Sequence, residues 1–175
     1  MNIVKLTAIF FFDLIDNFYH QKKIISFFLK NNIKINFLLD VGAHRGAYTD
    51  LFLKYFKNLK AYLFEPQKKI FNFIKKKHQH SKNIKCFNIA ISNKNSSKVL
   101  FINEHGLTSS LSVLNSKNKY LKYKAILFGR KLKGMIKDEI IVKTATLNQI
   151  IIKNKLPNID LLKIDTEGHE LEVLL

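Results

Sequence analysis

Residues Phe37 to Gly46 read Phe-Leu-Leu-Asp-Val-Gly-Ala-His-Arg-Gly, an apolar run closed by the carboxylate of Asp40 and followed by Gly42 and Gly46. Directly after it, Tyr48, Leu51, Phe52 and Tyr55 recur at i, i+3, i+4 and i+7, the spacing that puts side chains on one face of a helix. Strand, glycine turn and helix in that order open a βαβ unit, which sets backbone N–H groups and a helix N-terminus beside a bound ligand. A second acid, Glu65, closes the next apolar run, Ala61 to Phe64. It lies about 20 residues beyond the glycine turn, where a βαβ unit holds an acid against a ribose diol. The pattern points to a nucleoside-cofactor site.

Charge narrows the ligand. A pyrophosphate needs close backbone approach, hence the G-x-G-x-x-G spacing, but here the middle position is His44 and the last is Ala47. An acid at the end of the first strand repels pyrophosphate and attracts a ligand carrying an ammonium and a sulfonium. S-adenosyl-L-methionine fits, with Glu65 on its ribose. NAD, and with it an oxidoreductase, is the weaker alternative. The cofactor reading requires Asp40 and Glu65 to lie at one end of one sheet and to open into one cavity.

The rest of the chain follows the same alternation. Asn36–Val41 and Lys60–Phe64 read as strands one and two, and Pro66 suits the first turn of a helix whose buried face is Ile70, Phe73 and Ile74. Ile84 to Ala90 is strand three, Asn93 to Ser97 turn material, and Val99 to Ile102 a short additional strand. Ile140 to Thr146 is another strand, Thr146 caps a short helix through Ile152, and Pro157 ends that segment. Asp160 to Ile164 is a further buried strand ending at Asp165, and Glu170 to Leu175 a last helix. These elements predict an α/β fold, a mostly parallel sheet flanked by helices. Asn103 to Asp138, rich in lysine, is a long connection of the kind that covers substrate.

Residues 1–35 form a separate N-terminal helical segment. Its apolar stretch is broken by Lys5 and Asp13 and falls short of the roughly 20-residue run of a membrane span. Packing on the core sheet is the plain reading; peripheral membrane contact through a basic, Phe-rich helix is the sharper one. No small-residue cleavage site follows Leu6 to Phe12, which argues against a signal peptide. The single Cys86 suits a reducing, cytoplasmic setting.

The net charge is +17, from 30 Lys+Arg against 13 Asp+Glu in 175 residues. A polyanion partner would explain it. Yet only Arg45 and Arg130 are arginine, the lysines are spread along every segment, and Ile and Asn are abundant. A/T-rich codons produce that bias without any nucleic-acid role. Base-reading surfaces concentrate Arg and aromatic groups instead, so a basic nucleic-acid-binding module ranks below the enzyme.

Asp40, Glu65 and Asp165 each close an apolar strand, and a further strand ends near Asn88. In a parallel sheet these ends share the edge where ligands bind. The blocks Asp40 to Gly46, Phe64 to Pro66, Asn88 to Ser92 (Asn-Ile-Ala-Ile-Ser), Thr108 to Leu111 (Thr-Ser-Ser-Leu) and Ile159 to Glu170 resemble, in order and spacing, the FkbM family of S-adenosylmethionine-dependent methyltransferases. The resemblance runs from about Asn36 onward and implies a Rossmann-like methyltransferase fold over residues 36–175. It implies that Asp40, Gly42 and Gly46 line the methionine end of the cofactor, with Ala43 and His44, which lie in the same turn, as further cofactor-binding candidates. Glu65 would hold the ribose, and Asn88, Ile89 and Ala90 would flank the adenine. It implies O-methylation of a sugar, glycan or secondary-metabolite hydroxyl. In that fold more strands follow the Asp165 strand, so the sequence is expected to be truncated at its C-terminus, with Asp160–Ile164 left at a sheet edge.

Methyl transfer needs alignment of a hydroxyl with the methyl group and removal of its proton. Asp165 is the first candidate for that end of the site and Glu167 the second. His169 is the third, with a solvent-facing position its plainer reading. A metal site built from Asp165, Glu167 and His105 has no supporting ligand spacing.

Overall fold

The computed structural model describes residues 20–103, 109–111 and 136–175. The segment before His20, Thr108, His105 and most of the lysine-rich connection therefore lie outside the described residues.

After α1 (Gln21–Lys30), the chain forms β1 (Phe37–Val41), α2 (Ala47–Tyr55), β2 (Lys60–Phe64), α3 (Lys68–Lys77) and β3 (Ile84–Phe87). With β8 (Leu161–Ile164) these strands make a parallel sheet in the order β3-β2-β1-β8. All five residues of β1 are buried, as a central parallel strand covered on both faces must be. Leu38 turns to the face packed by Ile25, Phe52 and Ile74 of α1, α2 and α3. Leu39 and Val41 turn to the other, against Ile150 and Val173 of α4 (Leu147–Asn154) and α5 (Glu170–Leu174). The expected parallel sheet with helices on both faces is present. The Asp160 carboxylate fixes the start of β1 by accepting from the N–H groups of Asn36 (2.8 Å) and Phe37 (2.9 Å). Thr146 caps α4 as its sequence position implies, accepting from Gln149 N–H at 3.1 Å.

A second four-stranded sheet, β4 (Ala90–Ile91), β7 (Ile136–Ala145), β5 (Ser96–Asn103) and β6 (Ser109–Ser110) in that order, was not foreseen as a sheet. Its β5–β7 and β5–β6 pairs are antiparallel. The expected strand Ile84–Ala90 breaks at Asn88, whose side-chain amide donates to the carbonyls of Glu65 (3.0 Å) and Pro66 (2.7 Å). Its first half stays in the parallel sheet, while Ala90 and Ile91 pair with Thr144 and Ala145. The expected turn Asn93–Ser97 already enters β5 at Ser96, because Ser96 N–H donates to the Thr144 hydroxyl at 3.0 Å.

The buried face of α3 is Phe71 with Ile74, while Phe73 is 53% exposed. Phe71 and Ile74 are three residues apart and share a face, whereas Phe73 sits 100° round the helix from Ile74. Among the described residues β8 is an edge strand, its residues all half-buried, and no helix is long and apolar enough to cross a membrane.

Candidate functional site

Where β1, β2 and β8 end, the chain leaves a cleft of about 610 Å³, the space at its open mouth included. Val41, Gly42 and His44 form one side, and Phe64, Glu65 and Pro66 the next. Ile89, Ala90 and Ile91 supply an apolar wall, and Asp165, Thr166, Glu167 and His169 the opposite rim. Leu100, Ser109 and Leu111 reach in from the second sheet.

The glycine turn is built inward. The N–H groups of Gly42 and Ala43 both donate to the Phe64 carbonyl (3.1 Å each), that of His44 to Glu65 Oε2 (3.0 Å), and that of Gly46 to Ala43 O (2.8 Å). Four amides of the turn are thus spent on the end of β2 and on the turn itself. Gly42 has φ +73°, and a Cβ there would stand 1.9 Å from the Asp165 carbonyl oxygen. The glycine is required by the close pass of the chain just beyond β8.

Glu65 is 3% exposed and faces the cleft. Its Oε1 accepts from Gln67 N–H (2.8 Å), its Oε2 from His44. Burial drives its pKa from 4.5 up to about 7, against the pull of those two N–H groups and of the more distant Lys163. Since folding retains a proton there that the unfolded chain releases between about pH 4.5 and 7, this group favours the fold less as pH rises through that window. A carboxylate has about four lone-pair sites, so two bonds from the backbone leave room for a diol.

Asp40 is placed differently from expectation. It lies at the same end of the sheet as Glu65 but is sealed from the cleft, with no exposed surface, so the requirement that both acids open into one cavity is not met and the cleft presents Glu65 without Asp40. Alternation along β1 turns it, like Leu38, toward α2, where it accepts from the Thr49 hydroxyl at 2.7 Å. Its Oδ1 is 3.0 Å from the Lys163 ammonium. The buried Asp40 charge, after burial itself, raises the Tyr48 phenol to about 12. Three other expected cofactor residues also stand behind the cleft. Ala43 packs in the core, Gly46 faces Leu63, Ile74 and His78, and Asn88 fixes the Glu65–Pro66 backbone. Gly42, His44, Glu65, Ile89 and Ala90 do line the cleft, together with Asp165 and Glu167.

The rim turn is held by Glu170, which accepts from Thr166 N–H (2.9 Å) and Gly168 N–H (3.0 Å). Burial pushes the Glu170 pKa up, but these bonds outweigh it and leave the carboxyl below its ordinary value. His169, expected to face solvent, is 3% exposed. Its Nε2 lies 3.0 Å from the Ser92 hydroxyl, and burial, opposed by Glu172 and reinforced by Lys98, holds the ring below its ordinary pKa. The residue most clearly missed in the sequence is Lys163. Its ammonium touches the Gly42 carbonyl (2.8 Å) and approaches Asp165 to 3.8 Å. A lysine inside the apolar run Leu161 to Ile164 was the available signal. No group of three metal-ligating side chains occurs among the described residues.

Three carboxylates, Glu65, Asp165 and Glu167, line this cleft, and none of its described lining residues is Lys or Arg. In a chain of net charge +17 the lining has the opposite sign to the whole. Such a site attracts a cation carrying hydroxyls and repels a polyphosphate.

The profile of the methyltransferase FkbM domain matches residues 40–175. Among solved structures, a SAM-dependent methyltransferase from Aquifex aeolicus is similar at 22% identity and a TM-score of 0.36. That match covers 46% of this chain, and the chain spans 43% of the other's length. No curated protein gives a significant match.

Proposed function

The chain belongs to the FkbM methyltransferase family, and on that premise we propose that it methylates a hydroxyl group of a small molecule or glycan, with S-adenosyl-L-methionine as donor. The observation that carries the proposal is the acid-lined cleft, beside a turn that spends the amides of Gly42, Ala43, His44 and Gly46 internally. It favours a sulfonium nucleoside and disfavours NAD, whose pyrophosphate would meet carboxylates.

The residues present fit the donor. Glu65 would accept from the ribose hydroxyls, and Ile89 and Ala90 offer the adenine an apolar wall. When bound, S-adenosyl-L-methionine supplies an electrophilic methyl group on a positive sulfur. Asp165 and Glu167 line the opposite rim and would meet the acceptor. Their work is to orient its hydroxyl and to take its proton as the oxygen gains bonding to carbon.

Titration calorimetry with S-adenosyl-L-homocysteine tests the assignment, with NAD as comparator. Saturable binding of the nucleoside, lost by at least tenfold in Glu65→Ala, is the expected result. Binding of NAD with silence toward the homocysteine ligand would refute it. The ribose diol donates its hydrogens and so selects the ionised Glu65. Affinity is therefore expected to level off above about pH 7, where the free carboxyl titrates. Below that point it should fall by up to about tenfold per pH unit, a slope that Glu65→Ala abolishes.

A further inference from the structure

Resting on the methyl-transfer reading, we propose that Lys163 sets how strongly the cleft prefers the methyl donor, with its sulfonium charge, over the product that has lost that charge. Lys163 is the second-last residue of β8, and its side chain is only 16% exposed. The ammonium stands between the sealed acid Asp40, at 3.0 Å, and the cleft acid Asp165, at 3.8 Å. It donates to the carbonyl of Gly42, a residue of the cleft wall, at 2.8 Å. One positive charge thereby bridges the glycine turn and the reacting rim.

Its value follows from what methyl transfer does to charge. The sulfur is fully positive in the bound donor, loses that charge as the methyl leaves, and is neutral in the product. Carboxylates around it therefore favour the ground state more than the transition state, and interactions of that kind do not raise the rate. A nearby ammonium weakens that excess attraction while leaving Glu65 to bind the ribose, which donor and product share. The charge of Lys163 is felt at Glu65, whose pKa it lowers while Asp40 raises it.

The test is the ratio of dissociation constants for S-adenosyl-L-homocysteine and S-adenosyl-L-methionine, measured without acceptor. An unfolded fraction removes sites for both ligands alike, so the ratio is insensitive to stability. Lys163→Gln, which removes the charge and keeps a hydrogen-bond donor, is expected to shift the ratio about fivefold toward the cation. Asp165→Asn should shift it about as far the other way, and Lys163→Arg should leave it within twofold of the parent. Opposite shifts from two substitutions are not produced by a purely structural role. Ratios unchanged within twofold in both charge-removing variants, or moved in the same direction, overturn the proposal. Failure of the parent chain to bind either ligand overturns the methyl-transfer reading itself, and the inference with it.

Discussion

Gly42→Ala is expected to leave little folded protein, with a loss of stability of about 5 kcal/mol or more. An L-residue at φ +73° costs roughly 1–2 kcal/mol through the clash of its Cβ with backbone. The larger part is tertiary. The new methyl group would sit 1.9 Å from the carbonyl oxygen of Asp165, and neither partner is a flexible side chain that can swing aside. Relief requires β8 to move off β1, which breaks the pairs Leu38–Leu161 through Val41–Ile164. Losses beyond about 4 kcal/mol are rare for single substitutions and comparable with the whole stability of an ordinary domain. Gly168→Ala is the control. It has φ +98° but nothing within 4 Å of an added Cβ, so it should cost only about 1–2 kcal/mol. Urea denaturation followed by circular dichroism separates the two, and equal midpoints would show that the chain just beyond β8 does not pass Gly42 as described.

Lys163→Met should cost about 3–5 kcal/mol, the usual result of leaving a buried charge without its partner. Asp40 has no exposed surface, and the Lys163 ammonium is the cation beside it. The Thr49 hydroxyl remains as a donor at 2.7 Å, but one neutral hydrogen bond does not replace an ammonium. Most of the loss should return in Asp40→Asn combined with Lys163→Met, because the second change removes the charge left stranded by the first. A double-mutant cycle by chemical denaturation measures this directly. Simple additivity of the two losses would mean that Asp40 and Lys163 do not interact. The stability arm and the ligand-ratio arm read the same lysine through independent observables.

Local pattern carried the parallel half of the fold. Phe37–Val41 and Lys60–Phe64 are apolar runs bounded by a glycine turn and by Pro66, and the helix between them shows its period in Tyr48, Leu51 and Phe52. Such signals are local, so they survive reading in one dimension. The second sheet was not legible because its strands pair across a long connection. Ser96 meets Thr144 and Leu100 meets Ile140, partners that no short-range pattern announces. Phe73 went the wrong way because a short helix with several apolar residues admits more than one buried face, and packing on the sheet chooses among them.

The site divides along the same line. The sequence by itself determined that acids stand at the ends of neighbouring strands: the chain order of Asp40, Glu65 and Asp165 and the glycine turn fix that edge. Only the tertiary structure decided which of them meet a ligand. A strand's side chains alternate between faces: Asp40 lies inside β1, one residue before its end, and turns into the core toward Thr49 and Lys163, while Glu65 and Asp165 stand one residue past β2 and β8 and open into the cleft. Lys163 acquires its place only when β8 lies beside β1, since an ammonium in an apolar strand has no meaning until the oxygens around it are assembled.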